Sequence, residues 1–220
     1  MHLLDASIPS FQATSRSTIN LGFGHLFYGM ARLLRPAKVV VIGSKGGFAP
    51  LCFAKGVADN EGSGLAHVGF DDTAMVDARD GHVDFVDPSY SIERGDPNHS
   101  FGVGTWDDAE DVRRRWESFG LESFVTHYKM TSAAYLETYP DGPIDLLYID
   151  GDHSYAGVAH DLIAFRPRMS TNALVLAHDV DPRIPAEEGA GHAALYDVAG
   201  DLFEFMRIPV YPGLAILRPT

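Results

Sequence analysis

The stretch Lys38 to Ile42 reads Lys-Val-Val-Val-Ile and runs directly into Gly43-Ser44-Lys45-Gly46-Gly47. Four β-branched residues in a row show no alternation of apolar and polar, so a strand made of them must be covered on both faces. Burial on two sides belongs to a parallel strand with helices above and below it. The glycine turn that follows ends the strand, and Phe48 to Val57 then reads as a helix. A strand, a tight turn and a helix in this order are the start of a βαβ unit.

The same alternation continues along the chain. Before this unit, Leu21 to Leu34 carries apolar residues at helical spacing and stops at Arg35-Pro36, because proline disfavours helix at the residue before it. After it, Leu65 to Phe70 and His82 to Val86 both read as strands ending in aspartate. The stretch Pro88 to Gly104 is rich in Gly, Pro, Ser and Asn and reads as a loop. Trp106 to Phe119 reads as a charged amphipathic helix, with Asp107 or Asp108 placed to cap it. Phe124 to Tyr128 is a strand and Ser132 to Glu137 a short helix. Ile144 to Ile149 is an apolar strand followed by helix from Ala156 to Phe165. Ala173 to Ala177 is a strand leading into His178-Asp179, and Ala193 to Phe203 reads as a helix. Phe203 to Ile208 and Leu214 to Leu217 close the chain as two strands about five residues apart, too close for a crossover helix and therefore antiparallel. These elements predict an α/β fold: a doubly wound, mostly parallel sheet with an antiparallel C-terminal strand. No repeat or linker divides the chain, so one domain over 1–220 is expected, with 1–36 as an N-terminal helical extension.

Composition narrows the class of partner. The 220 residues carry 30 acidic against 17 basic side chains, a net charge of −13. Binding to a nucleic-acid backbone relies on Lys and Arg displacing counterions, so nucleic acid is not an expected partner, nor is an anionic membrane surface. Arg113-Arg114-Arg115 sits among acids and reads as a solvated helix face. No run reaches the length of a membrane span, and Met1 to Ser10 lacks the pattern of a signal peptide. Cys52 is the single cysteine. A reducing, cytoplasmic setting is expected, with Cys52 in the core rather than acting as a nucleophile. A homo-oligomer stays open.

Chemistry concentrates where the expected strands end. Gly43, Gly46 and Gly47 are spaced G-x-x-G-G, unlike the G-x-G-x-x-G of dinucleotide enzymes, and either cradle a ligand or simply pack a tight turn. An acid at the next strand end can accept both hydroxyls of a ribose. Asp71 lies 28 residues after Gly43 and Asp87 lies 44 after it, against a usual distance of about 20, and both stay candidates. The densest group is Asp150, Asp152 and His153, joined by His178 and Asp179 at the end of the following strand. Carboxylates with few nitrogens suit Mg²⁺ or Mn²⁺ rather than structural zinc, with Asp150, His178 and Asp179 as the ligand set. Asp152 is expected to cap the following helix. His25 reads as a packed histidine on an apolar helix, and His67, His82, His99 and His127 as structural or solvent-facing. Ser89 and Ser154 lack an oxyanion partner or a G-x-S-x-G elbow.

The segment Ile149-Asp150-Gly151-Asp152-His153-Ser154-Tyr155, with Gly157-Val158 and Asp161-Leu162, resembles the signature of the family 24 methyltransferases. That group is similar to metal-dependent sugar and macrolide O-methyltransferases. Val86-Asp87-Pro88-Ser89-Tyr90, Trp106-Asp107-Asp108, His178-Asp179-Val180 and Gly213-Leu214-Ala215-Ile216 match as well. The resemblance runs from about Val39 to Arg218. It implies a Rossmann-like class I methyltransferase with a seven-stranded sheet, using S-adenosylmethionine. Gly43, Gly46 and Gly47 would line its methionine part and Asp87 would take its ribose. Ser44, Thr131, Asp150 and His153 complete the implied cofactor contacts. Asp150 and Asp179 would hold a divalent cation, with His153 as general base and Asp150 beside it in catalysis. The chain departs from the family at Val41, where an acid is usual, and at His178, where some relatives carry Glu.

The implied reaction is methyl transfer to a hydroxyl of a small acceptor, such as a sugar or natural product. A nicotinamide-dependent oxidoreductase shares the glycine turn and the strand-end acid but gives no reason for the aspartate–histidine group. A non-catalytic cofactor-binding protein of the same fold is the other alternative.

Overall fold

The computed structural model describes residues 23–44, 47–61, 81–89, 106, 108–139, 142–185, 189–209 and 212–220. The expected strand Leu65 to Phe70, the residues Gly46, His67, Asp71 and His99, and most of the expected loop Pro88 to Gly104 lie outside them.

Among the described residues, seven strands form one sheet: β1 (Lys38–Ile42), β2 (His82–Val86), β3 (Val125–Tyr128), β4 (Ile144–Ile149), β5 (Met169–His178), β6 (Phe203–Ile208) and β7 (Leu214–Pro219). Their order is β3-β2-β1-β4-β5-β7-β6. The first five run parallel. β7 lies antiparallel between β5 and β6, so the short connection from β6 to β7 makes the hairpin that its length demands. The chain is a doubly wound α/β fold of the Rossmann-like kind.

Among the described residues, six α-helices lie on this sheet: α1 (Phe23–Leu34), α2 (Phe48–Ala58), α3 (Ala109–Glu117), α4 (Ser132–Thr138), α5 (Tyr155–Phe165) and α6 (Gly191–Leu202). The strand β1 shows why both faces need cover. Val39 and Val41 join the core formed with α1, α2 and α3, whereas Val40 and Ile42 join the core formed with α4, α5 and α6. None of the four is more than 4% exposed, and burying each contributes about 1.5–3 kcal/mol. The first core is aromatic, with Phe27, Phe53 and Tyr148 in mutual ring contact.

Several local expectations are corrected. His25 is exposed, because α1 buries the face carrying Phe23, Phe27, Met30 and Ala31 and turns His25 away from it. Trp106 is not helical but a buried turn residue; α3 starts at Ala109, with Asp108 accepting the N–H groups of Glu110 and Asp111. Arg113 and Arg114 are solvated and paired with acids, as expected, but the Arg115 guanidinium stacks 4.7 Å over the ring of Trp106. Cys52 is buried in α2 as expected, and burial pushes its thiol up to about 12.

Candidate functional site

The order of strands places the ends of β1 and β4 side by side, where the winding direction changes. In such sheets ligands bind beyond the carboxyl ends of the strands at this point. The ladder continues one residue past each strand: Gly43 N–H donates to the Val86 carbonyl, Asp87 N–H to that of Tyr128 and Asp150 N–H to that of Ile42. Gly43, Asp87 and Asp150 are thereby fixed at one edge.

Gly43 has φ of 69°, and a Cβ there would come within 2.4 Å of the Asp150 carbonyl oxygen. Only glycine lets the β1 turn pass that close to the end of β4. Gly47 has φ of 72° and precedes α2, and a Cβ there would lie 2.4 Å from the Trp106 ring. Ser44 is buried, and its N–H points to Asp87 Oδ2 at 3.4 Å. The Asp87 carboxylate also accepts the Ser89 N–H at 2.8 Å, on Oδ1. Among the described residues each of its oxygens thus takes one backbone donor, which leaves a lone pair on each for a pair of hydroxyls. Burial holds the Asp87 carboxyl above the ordinary range, against the lowering by those N–H groups. Thr131 sits beyond β3 and caps α4, with Oγ1 accepting the Ala134 N–H at 3.1 Å.

At the ends of β4 and β5, four side chains meet. His178 Nδ1 lies 3.1 Å from Asp150 Oδ1 and 3.0 Å from Asp179 Oδ1. His153 Nδ1 lies 2.9 Å from Asp179 Oδ2, and its Nε2 3.6 Å from Asp150 Oδ1. The Tyr148 hydroxyl donates to Asp150 Oδ2 at 3.2 Å, and Phe23 packs edge-on against His178. Asp179 has φ of 56° and donates its N–H to the Gly213 carbonyl, so the loop entering β7 holds it in place. Burial alone would lower both imidazoles, but the charges and hydrogen bonds of Asp150 and Asp179 outweigh it and push His153 and His178 each to about 10. Burial likewise works against the two carboxylates, and the histidines overcome it to hold both below the usual range.

Asp150, His153 and Asp179 each offer a ligand atom within 4.8 Å of the others. Two carboxylates and an imidazole at this spacing fit a hard divalent cation, and His178 stands against the same two carboxylates. Asp152 is not the helix cap. Its Oδ1 accepts the Ser154 N–H, and Ser154 itself caps α5 by accepting the Gly157 N–H. Both residues have an oxygen of the right reach, and the one immediately before the helix takes the cap.

Two features were not anticipated from the sequence. Tyr148 is one, although a tyrosine in the otherwise aliphatic run Ile144 to Ile149 was a signal. The Ser89 hydroxyl is the other: it accepts the Trp106 N–H at 2.9 Å. His82 meets the Thr126 hydroxyl and His127 the Asp87 carbonyl, structural roles as expected.

This architecture, a 3-2-1-4-5-7-6 sheet with Gly43, Asp87 and the Asp150–Asp179 group at its carboxyl edge, is of the Rossmann-like class. Residues 40–180 match the sequence model of family 24, described as a methyltransferase domain, and the chain belongs to that family. It is similar to the uncharacterized protein y4gI of Sinorhizobium fredii, 23% identical over 99% of the chain, which spans 21% of that relative's length. The chain therefore covers about a fifth of the curated relative it matches. Among solved structures it is similar to cofactor-bound Rv0187 from MTB, with a TM-score of 0.66, 18% identity, and 99% of this chain and 89% of that one covered. It is also similar to the O-methyltransferase TomG from Streptomyces achromogenes, involved in tomaymycin synthesis and in complex with S-adenosylmethionine. There the TM-score is 0.61 and the identity 16%, over 96% of this chain and 88% of that one. Among the described residues no helix is long and apolar enough to cross a membrane.

Proposed function

We propose that the chain binds S-adenosylmethionine and transfers its methyl group to a hydroxyl of a small acceptor, a sugar or a natural product. The observation that carries this is the meeting of Asp150, His153, His178 and Asp179 at the strand edge that also holds Asp87 and the Gly43 turn. A nicotinamide-dependent reaction needs the turn and Asp87 but leaves the other four side chains without work. The S-adenosylmethionine complex of TomG, on the same fold, supports this choice of cofactor.

S-adenosylmethionine, when bound, supplies a methyl group already activated by its sulfonium. Asp87 then holds the ribose hydroxyls, and Gly43, Ser44, Gly46 and Gly47 line the remainder, with Thr131 at the end of β3. The site must hold the acceptor oxygen in line with the methyl group, and proximity of this kind supplies roughly 7–11 kcal/mol. His153 would take the hydroxyl proton as the O–C bond forms and the methyl–sulfur bond breaks, with S-adenosylhomocysteine as the leaving group.

A divalent cation would be held by Asp150 and Asp179 with His178 completing the set, and it would lower the pKa of an acceptor hydroxyl. A cation shared by the two carboxylates would weaken their hold on the His153 proton, because those carboxylates are what keep it protonated, and would leave the imidazole free to act as a base.

The test is a thermal shift. S-adenosylmethionine and S-adenosylhomocysteine should raise the melting temperature by mass action, and labelled methyl should then appear in a hydroxylated acceptor from a panel of sugars and polyketides. Stabilisation by NAD with none from either sulfur nucleoside would overturn the proposal.

A further inference from the structure

We infer that Ser89 and Trp106 form a positioning link that holds Asp87 in the orientation that ribose requires; this rests on S-adenosylmethionine being the cofactor. Ser89 is 2% exposed, so its hydroxyl is shut off from any substrate and cannot serve as a nucleophile. Its φ of 48° is one that side chains other than glycine rarely adopt. Such a conformation persists only where its surroundings enforce it.

The enforcement is visible on both sides of the residue. Its N–H donates to Asp87 Oδ1 at 2.8 Å, and its Oγ accepts the backbone N–H of Trp106 at 2.9 Å, from 17 residues further along the chain. Trp106 is itself immobilised. It is 1% exposed, stacks at 9° on Trp116, meets Phe85 edge-on and lies under the Arg115 guanidinium. The same indole packs where a Cβ on Gly47 would fall. A single buried residue therefore reaches both halves of the cofactor site, the glycine turn with its ring and Asp87 through its backbone N–H and Ser89.

Without the Ser89 hydroxyl, nothing in this chain of contacts ties the left-handed backbone at position 89 to Trp106. Relaxation of that backbone swings the Ser89 N–H away from Asp87, and the carboxylate loses its 2.8 Å anchor while keeping the 3.4 Å contact to Ser44. The carboxylate is then free to turn, and the loss falls on ribose binding rather than on the fold.

The experiment is a double-mutant cycle read by calorimetry with S-adenosylhomocysteine. The variants are Ser89→Gly, Ser89→Ala, Asp87→Ala and Asp87→Ala with Ser89→Gly. Glycine tolerates the left-handed backbone while deleting the hydroxyl, so Ser89→Gly keeps the test alive should Ser89→Ala fold poorly. Ser89→Gly should weaken binding about fivefold to tenfold, the worth of one hydrogen bond. In the Asp87→Ala background the same change should cost less than about twofold, because its effect runs through a carboxylate no longer present. A merely structural role would weaken binding equally in both backgrounds and would overturn the inference. So would unchanged binding in Ser89→Gly. A wild-type protein that does not bind S-adenosylhomocysteine at all would remove the cofactor assignment, and this inference with it.

Discussion

Nδ1 of His153 lies 2.9 Å from Oδ2 of Asp179, joining the loop after β4 to the end of β5 across the mouth of the site. The contact fixes the ring. With Nδ1 turned to Asp179, Nε2 is left at 3.6 Å from Asp150, beyond good hydrogen-bonding distance. An imidazole oriented by one carboxylate is arranged as a general base is in other enzymes, and here a cation shared by Asp150 and Asp179 would release the proton those carboxylates hold on it.

His153→Ala should therefore lower turnover by about 10²–10⁴-fold, the usual worth of a general base, a loss well beyond any fall in S-adenosylhomocysteine affinity from its place beside the cofactor. Calorimetry and initial rates on the same preparation measure both. If His153 only ties the loop to β5, the variant would lose melting temperature yet keep its turnover at saturating substrate.

The carboxylates make a separate prediction. Asp150 and Asp179 converge on the histidines with ligand atoms within 4.8 Å. A chelator should abolish methyl transfer, and Mg²⁺ or Mn²⁺ should restore it. Asp150→Asn and Asp179→Asn should show the same loss without recovery on adding metal. Full activity in excess chelator would mean that His178, seated against both carboxylates, supplies the positive charge by itself.

Gly43→Ala tests the seam between β1 and β4. The new Cβ would meet the Asp150 carbonyl oxygen at 2.4 Å, and the backbone there has φ of 69°. A backbone oxygen cannot step aside as a flexible side chain can. The variant should lose on the order of 2 kcal/mol or more of stability in urea unfolding, with cofactor affinity falling too. An unaltered urea midpoint would show that the turn can open without disturbing β4.

Much of this molecule could be read along the chain because the signals are local. The run Val39 to Ile42 is apolar without alternation since both faces are buried, and the close spacing of β6 and β7 demands an antiparallel pair. The groups at positions 150, 153, 178 and 179 could be expected to meet once two strands were assigned as neighbours. What could not be read depends on partners distant in sequence. The Ser89–Trp106 bond joins residues with no patterned relation, and Arg115 leaves its two neighbours to cover an indole that sequence assigned to a helix. His25 sits on an apolar helix whose buried face stops short of it. The cap before α5 went to Ser154 over Asp152 by a shift of two residues, the scale on which local signals compete.

The last prediction concerns Asp161, a 2% exposed carboxyl on α5 that accepts the Ser132 hydroxyl at 2.7 Å. Burial pushes its pKa up to about 6, and the hydroxyl offsets this only in part. A carboxyl raised in the folded state binds its proton more tightly there than in the unfolded chain. Its contribution to stability is therefore full below about pH 4 and is lost as pH rises through 6. From that shift, the ionised group costs about 2–3 kcal/mol at neutral pH. Asp161→Asn keeps a similar shape and a partner for Ser132 but cannot ionise. It should be more stable than wild type at pH 8, with the gap closing by pH 4. Other titrating groups are common to both proteins and cancel in the difference. Paired urea titrations at the two pH values measure it. A variant destabilised equally at pH 4 and pH 8 would mean that the Ser132 contact, rather than the buried charge, governs what Asp161 does.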